Sequence, residues 1–386
     1  MKRHIYLDNA ATTKVRKEVI DAMIPYFSDI YGNASSQHQF GRKAKDALEV
    51  ARASIAGKIN ADPKEIFFTS GGSESDNWAI KGAAKALKNK GKHLITTSVE
   101  HHAVLDSFKS LEKQGFEVTY LPVDCDGQVS VTDVSNAIRK DTVLISIMTA
   151  NNEIGTIMPI AEIGKLAKEK GILFHTDAVQ AMGVLDIDVN AMDIDMLSAS
   201  AHKFHGPKGV GFLYIRRGVK LVKLIDGGAQ ERNRRAGTEN IPGIVGMAKA
   251  LELMIEEREF QNKRLASMRD RMIKGLLEIP DSKLNGHITN RLPGNVNVSF
   301  DGIEGEALLV SLDMQGIAAS SGSACMSGLF EPSYVLMALG SGEESSRSSI
   351  RYTIGSDNTD DEIDYAVKLT KETVEKLRTI SPFYKK

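Results

Sequence analysis

Cysteine is almost missing from this sequence: two residues in 386, Cys125 and Cys325, stand 200 positions apart. That scarcity excludes a disulfide scaffold and a cysteine-built metal site, and it leaves each thiol free to react. No stretch comes near the roughly 18 uninterrupted apolar residues that a membrane helix needs, and residues 1–9 carry charges without the apolar core of a signal peptide. A cytoplasmic protein with no membrane partner is expected. An excess of either charge is missing too, since 49 basic residues face 50 acidic ones for a net charge of -1. Nothing in the global electrostatics favours nucleic acid, and Arg232-Asn233-Arg234-Arg235 lacks the interleaved aromatics of a nucleic-acid contact. There is neither an internal repeat nor a low-complexity tract.

What is present is an ordinary globular composition, 42% hydrophobic and 26% charged, over a length that suggests two domains or one large domain with an appendage. From about residue 64, short β-branched or aromatic runs alternate with helical stretches. Strands are expected at 65–69, 93–97, 117–121, 143–149 and 172–176, with helices at 74–90, 103–114 and 159–170. Such alternation implies crossover connections and a mostly parallel sheet covered on both faces, an α/β architecture. Residues 243–277, rich in good helix formers, read as a long helix or helix pair linking two domains. Beyond it, strands at 295–300, 317–320 and 349–354 mix with helices at 304–314, 332–339 and 360–377 in a smaller α+β domain. The serine-rich stretch 341–349 and the stretch 322–329 are the expected mobile loops.

Three segments carry candidate chemistry. In Thr69-Ser70-Gly71-Gly72-Ser73-Glu74-Ser75 a strand passes through a Gly pair into a helix, with Ser73 as the expected N-cap. Taken alone this reads first as an ordinary turn, but its free N–H groups and helix dipole suit an anion, most naturally a phosphate. In His175-Thr176-Asp177-Ala178-Val179-Gln180, Asp177 falls at the C-terminal end of a buried strand, where open α/β sheets bind ligands; a helix N-cap is the plainer role. Lys203 follows the small, buried-looking run 197–201 and is flanked by His202 and His205, a setting in which a lysine can lose its proton and form a Schiff base. An anion cup, an acidic strand end and a lysine together match the needs of pyridoxal phosphate: an anchored phosphate, a protonated ring nitrogen and a held aldehyde.

With those residues in view, the sequence resembles the cysteine desulfurases of the NifS/IscS type, in the class V aminotransferase group of fold-type I pyridoxal phosphate enzymes. The likeness runs from Tyr6-Leu7-Asp8-Asn9-Ala10-Ala11-Thr12-Thr13 to Ser381-Pro382-Phe383. Between them it rests on Asn33-Ala34-Ser35-Ser36, Ser73-Glu74-Ser75-Asp76-Asn77, Glu100-His101, Asn151-Asn152-Glu153-Ile154-Gly155, His202-Lys203, Arg235-Ala236-Gly237-Thr238, Ser320-Ser321-Gly322-Ser323-Ala324-Cys325 and Ser349-Ile350-Arg351. It implies a large cofactor domain at 16–260 on a seven-stranded, mostly parallel sheet. A small domain of 1–15 plus 261–386 would carry the Cys325 loop and Arg351.

Residue by residue, the resemblance implies that Lys203 holds pyridoxal 5'-phosphate, Asp177 pairs with its ring nitrogen and Gln180 donates to its phenolic oxygen. His101 would stack on the ring as an acid-base group. Gly72, Ser73, Ser200 and His202 would bind the phosphate from one subunit of a homodimer, and Thr238 from the other. Arg351, aided by Asn33 and Asn152, would hold the substrate carboxylate, and Asn152 would also touch the cofactor. The implied reaction takes sulfur from L-cysteine, leaving L-alanine and a persulfide on Cys325 for an acceptor protein that builds iron-sulfur clusters or thiolates tRNA. Cys325 lies among glycines and serines, which suits a mobile, reactive thiol, whereas Cys125 reads as a small buried hydrophobe. A selenocysteine lyase or another class V enzyme would use the same cofactor. A non-catalytic sulfur-relay adaptor would have no need of Lys203, His101, Asp177, Cys325 and Arg351 together.

Overall fold

A strand buried on both faces has no polar side to show, and the apolar runs of this chain form such strands. The computed structural model describes residues 4–321, 332–382 and 384. In chain order its strands are β1 (Ile5–Tyr6), β2 (Ile66–Thr69), β3 (His93–Thr97), β4 (Glu117–Leu121), β5 (Thr142–Ser146), β6 (Leu173–Asp177), β7 (Met196–Ser200), β8 (Gly211–Ile215), β9 (Ser282–Leu284), β10 (Asn295–Phe300), β11 (Ile317–Ala318) and β12 (Ser349–Thr353). The sheet that carries the site has the order β2-β8-β7-β6-β5-β3-β4. Its strands from β4 to β7 run parallel, and β8 lies antiparallel to both β7 and β2. This is the expected seven-stranded, mostly parallel sheet. Alternate side chains feed opposite cores: Phe68, Ile95 and Phe212 point one way, Phe67, Leu94 and Leu213 the other.

Helices Gly72–Leu87, His102–Glu112 and Ile160–Lys170 cover the sheet, and Gln39–Lys58 packs along helix Ile241–Leu276. That last helix has 36 residues, about 54 Å at 1.5 Å per residue. Its first half buries Ile244, Met247 and Leu251 in the sheet's core. Its second half buries Met268, Met272 and Leu276 in a separate core under the three-stranded antiparallel sheet β12-β10-β9, together with Val298, Ile350 and Val374. The parallel pair β1-β11 joins the same core through Ile5 and Ile317.

Two expectations fail. The stretch 341–349 is no mobile loop: it holds a short helix, Glu343–Arg347, and Ser341, Ser346, Ser348 and Ser349 are buried. Serine is small enough to pack there, and Ser348 and Ser349 donate to the carbonyls of Ser345 and Ser346, so neither hydroxyl is stranded. Cys125 is exposed. The Asp124 carboxylate accepts the N–H groups of Asp126 and Gln128, which closes a turn with the thiol outside. The expected loop 322–329, with Cys325, lies outside the described residues. Among the described residues no helix is long and apolar enough to cross a membrane.

Candidate active site

The C-terminal ends of the parallel strands meet the N-terminus of helix Gly72–Leu87 around a cavity of about 360 Å³. Gly72, Ser73, His101, Asn152, Asp177, Gln180, Ser200, His202, Lys203 and Arg351 all line it. Ten side chains or glycines singled out in the sequence, drawn from positions 72 to 351, therefore converge on one space.

The glycine pair starts the helix, with Gly71 rather than Ser73 as N-cap. Ser73 sits inside the first turn, because the positive-φ backbone at Gly71, φ 151°, already turns the chain out of the strand. The first N–H groups of that helix have no carbonyl within it to donate to, which suits an anion. Glycine is required at 72, since a Cβ there would fall 2.7 Å from Val179 Cγ2. Glu74 accepts from Ser70 N–H and from both Arg235 Nε and Nη2, tying the 235–238 segment to the cup.

Asp177 ends β6, and its carboxylate accepts Val179 N–H at 2.9 Å. Burial raises its pKa, opposed by His101, that N–H and Lys203. Lys203 closes a short 3-10 turn after β7 and donates to the carbonyls of Ala10 and Ala11. Gln180 donates to the Ala10 carbonyl as well. His101 caps helix His102–Glu112, its Nδ1 accepting Ala103 N–H at 3.1 Å, so the neutral ring carries its proton on Nε2. Burial lowers its pKa, as does Lys203, while Asp177 raises it. Burial and the neighbouring Lys203 and Lys208 push His202 down to about 4. Arg351 is no edge-strand surface charge: it is 3% exposed, donating to the Asn152 carbonyl and to Asp8. Asn152 Oδ1 is buried with no hydrogen-bond partner among the described residues.

Two predicted residues are not brought to this cavity within the single chain. Asn33 is exposed, its side chain accepting Ser35 N–H, and Thr238 is exposed beyond Arg235. Conversely, Asp76 was given no role by the sequence, yet it lines the cavity at 1% exposure, its Oδ1 3.7 Å from His175 Nε2 and without a hydrogen bond among the described residues. Its place one turn past Ser73, on the same helix face, was the available signal. Glu100, fully buried beside Asp177, is pushed up to about 8 by burial despite accepting from Met148 N–H and Thr97. Asp8 and the Ala10–Ala11 carbonyls also belong to the site, and no spacing rule pointed to them.

Comparison with known proteins bears on this constellation. The family model described as aminotransferase class-V matches residues 5–366. The cysteine desulfurase IscS of Methanosarcina thermophila is 57% identical, over 98% of this chain and 94% of its own. The cysteine desulfurase IscS of Clostridium botulinum is 54% identical over 100% and 98%. Among solved structures, a NifS-like protein superposes with a TM-score of 0.92 at 39% identity, covering 97% of this chain and all of that one. SspA in complex with cysteine gives 0.80 at 40% identity, over 92% and 99%.

Proposed function

Because the chain belongs to the class-V aminotransferases, and within them to the cysteine desulfurases, we propose that its cavity holds pyridoxal 5'-phosphate and binds L-cysteine. The observation that carries this reading is the convergence of Lys203, Asp177 and the N-terminus of helix Gly72–Leu87 on one cavity. The donor set fits that cofactor: N–H groups and Ser200 for a phosphate, a buried carboxylate for a ring nitrogen, an amine for an aldehyde and Asn152 Oδ1, unbonded among the described residues, as a spare acceptor. When bound, the cofactor supplies an electron sink that makes the substrate Cα–H bond breakable.

The residues of the chain do the rest. Arg351 offers a guanidinium fork to the substrate carboxylate. His101, with Nδ1 engaged by Ala103, presents Nε2–H as a donor, while Lys203 Nζ takes and returns the α-proton. The Cys325 thiolate attacks the substrate sulfur. An S–S bond forms, the C–S bond breaks with its electron pair left on carbon, and protonation there gives L-alanine. One sulfur atom moves, and no outside reductant is needed. The resulting persulfide is passed to an acceptor protein, a step supported by the family alone.

We read the long helix as the seam between a large domain, 16–260, and a small one, 1–15 plus 261–386, with two cores, although Val335, Leu336 and Leu339 of the small domain pack in the large domain's core. The homodimer is supported by the apolar side chains left exposed at Ile20, Ile24, Phe27 and Phe40 and by the exposure of Thr238 and Asn33. The test of the reaction is Cys325→Ala. It should keep the cofactor's visible absorption and its response to L-cysteine, yet form alanine at least 100-fold more slowly, while Cys125→Ala matches the parent. Near-parental alanine formation, or a persulfide mapped to Cys125 by mass spectrometry, overturns the mechanism.

A further inference from the structure

Arg351 meets the cavity with a carboxylate of its own chain already bound. Its Nη2 donates to Asp8 Oδ1 at 2.9 Å and its Nη1 to the Asn152 carbonyl at 3.0 Å. A guanidinium has five N–H donors, and these two bonds use two of them. Nε–H is buried and has no hydrogen-bond partner among the described residues, so the chain engages only part of the fork. The pair is shielded, with the arginine side chain 4% and the aspartate side chain 20% exposed.

The backbone that carries Asp8 is held in place. Thr353 N–H donates to the Leu7 carbonyl at 2.7 Å, Asn9 donates to the Thr353 carbonyl through both backbone and side chain, and Ala10 N–H donates to Thr353 Oγ1. The backbone on either side of Asp8 is thus stapled to β12 two residues beyond Arg351. Tyr6 Oη donates to the Asp8 carbonyl as well. An internal carboxylate on a held backbone therefore shares the guanidinium with any incoming one.

Resting on the desulfurase reading above, we propose that Asp8 is a specificity-determining residue that limits how tightly the amino-acid carboxylate is held on Arg351. Without ligand, Asp8 keeps the buried guanidinium from being an uncompensated charge. With ligand, two carboxylates face one cation, and the charge on Asp8 opposes the second. Substrate L-cysteine and product L-alanine carry the same α-carboxylate, so tight binding there would hold both alike and retard product departure. Asp8 trades substrate affinity for release of alanine.

The experiment uses holoenzyme and Asp8→Asn, which keeps an oxygen for Arg351 Nη2 and removes the charge. L-Alanine is titrated against the visible absorption of the bound cofactor, and KM and kcat for L-cysteine are measured alongside. The expected result is roughly five- to tenfold tighter L-alanine binding and a KM lowered to match, with kcat not raised. Cysteamine, which has the thiol and amine but no carboxylate, should bind parent and variant alike. Asp8→Ser should shift alanine binding in the same direction, and it carries the test if the amide fails to fold or load. A residue that merely aims Arg351 gives the opposite sign, weaker alanine binding and a raised KM. That result, or no change, overturns the proposal while the parent's alanine formation leaves the desulfurase reading intact. A parent that fails to answer either amino acid overturns that reading instead.

Discussion

His175 lies between two serines, its Nδ1 2.8 Å from Ser146 Oγ and its Nε2 3.0 Å from Ser198 Oγ, in a row across β5, β6 and β7. Burial pushes its pKa down to about 3 from an ordinary 6.5. The unfolded chain takes up a proton below 6.5 that the folded one refuses, so stability present above 6.5 is lost as pH falls toward 3. Glu100 acts in the other direction. Its folded value of about 8 lies above the usual 4.5, so the folded state keeps a proton that the unfolded state gives up, and stability declines as pH rises from 4.5 to 8. Urea midpoints measured across pH should show both limbs, each on the order of a few kcal/mol. His175→Asn should flatten the acid limb and Glu100→Gln the alkaline one; unchanged limbs would mean that other groups carry them. At this scale the sequence exposes what is contiguous: Asp177 and Gln180 follow one strand, and Lys203 the next. It hides the Asp8–Arg351 pair, whose members are 343 positions apart and have no periodicity to link them.

The edge of the large sheet shows what elements need beyond their own propensities. β2 is an outermost strand, with one row of backbone groups unpaired by any strand. The Glu231 carboxylate accepts Phe68 N–H and both Nη groups of Arg52, and Arg52 and Arg232 donate to the Ile66 carbonyl. To bring that carboxylate inward, Glu231, Arg232 and Asn233 take φ of 45°, 55° and 61°, left-handed values that non-glycine residues avoid. Glu231→Ala would leave Arg52 buried without its anion and Phe68 N–H unmet, a loss of about 3–5 kcal/mol. Denaturant unfolding checks it, and a double variant, Arg52→Met with Glu231→Leu, should lose less than the single one. Since β2 leads directly into Gly71 and Gly72, Glu231→Ala should also weaken retention of the proposed cofactor. The parallel strands and long helix were legible because period and composition set them locally. The folding of 341–349 was not, because a polar serine run reads as loop until a core is present to bury it.

Over the whole molecule, two cores share one long helix, and the cavity lies at their junction with Arg351 from one side and Lys203 from the other. If the site is completed across a two-fold axis, Thr238 and Asn33 are exposed in one chain for a reason. Sedimentation at assay concentration should then show a species of twice the chain mass. A Thr238→Ala subunit mixed with a Lys203→Ala subunit should recover one active site per mixed dimer. An active, cofactor-loaded monomer would refute the arrangement. The local sequence shows Thr238 only as a loop residue beside an arginine run, and it was the resemblance that implied its service to the other subunit.

The staple that holds residues 5–10 against β11 and β12 also fixes a timetable. Ala10 and Ala11 supply the carbonyls that receive Lys203 Nζ, and their segment is held by Ile317, Ala318 and Thr353. On the ribosome Ile5 precedes its partner Ile317 by 312 residues, roughly 15 to 60 s at ordinary elongation rates. Throughout that interval the lysine can emerge and the large sheet can collapse around it with one wall of the cavity still missing. If the cavity holds the proposed cofactor, its capture belongs to the close of synthesis, and a chain truncated before β12 has no finished place to put it.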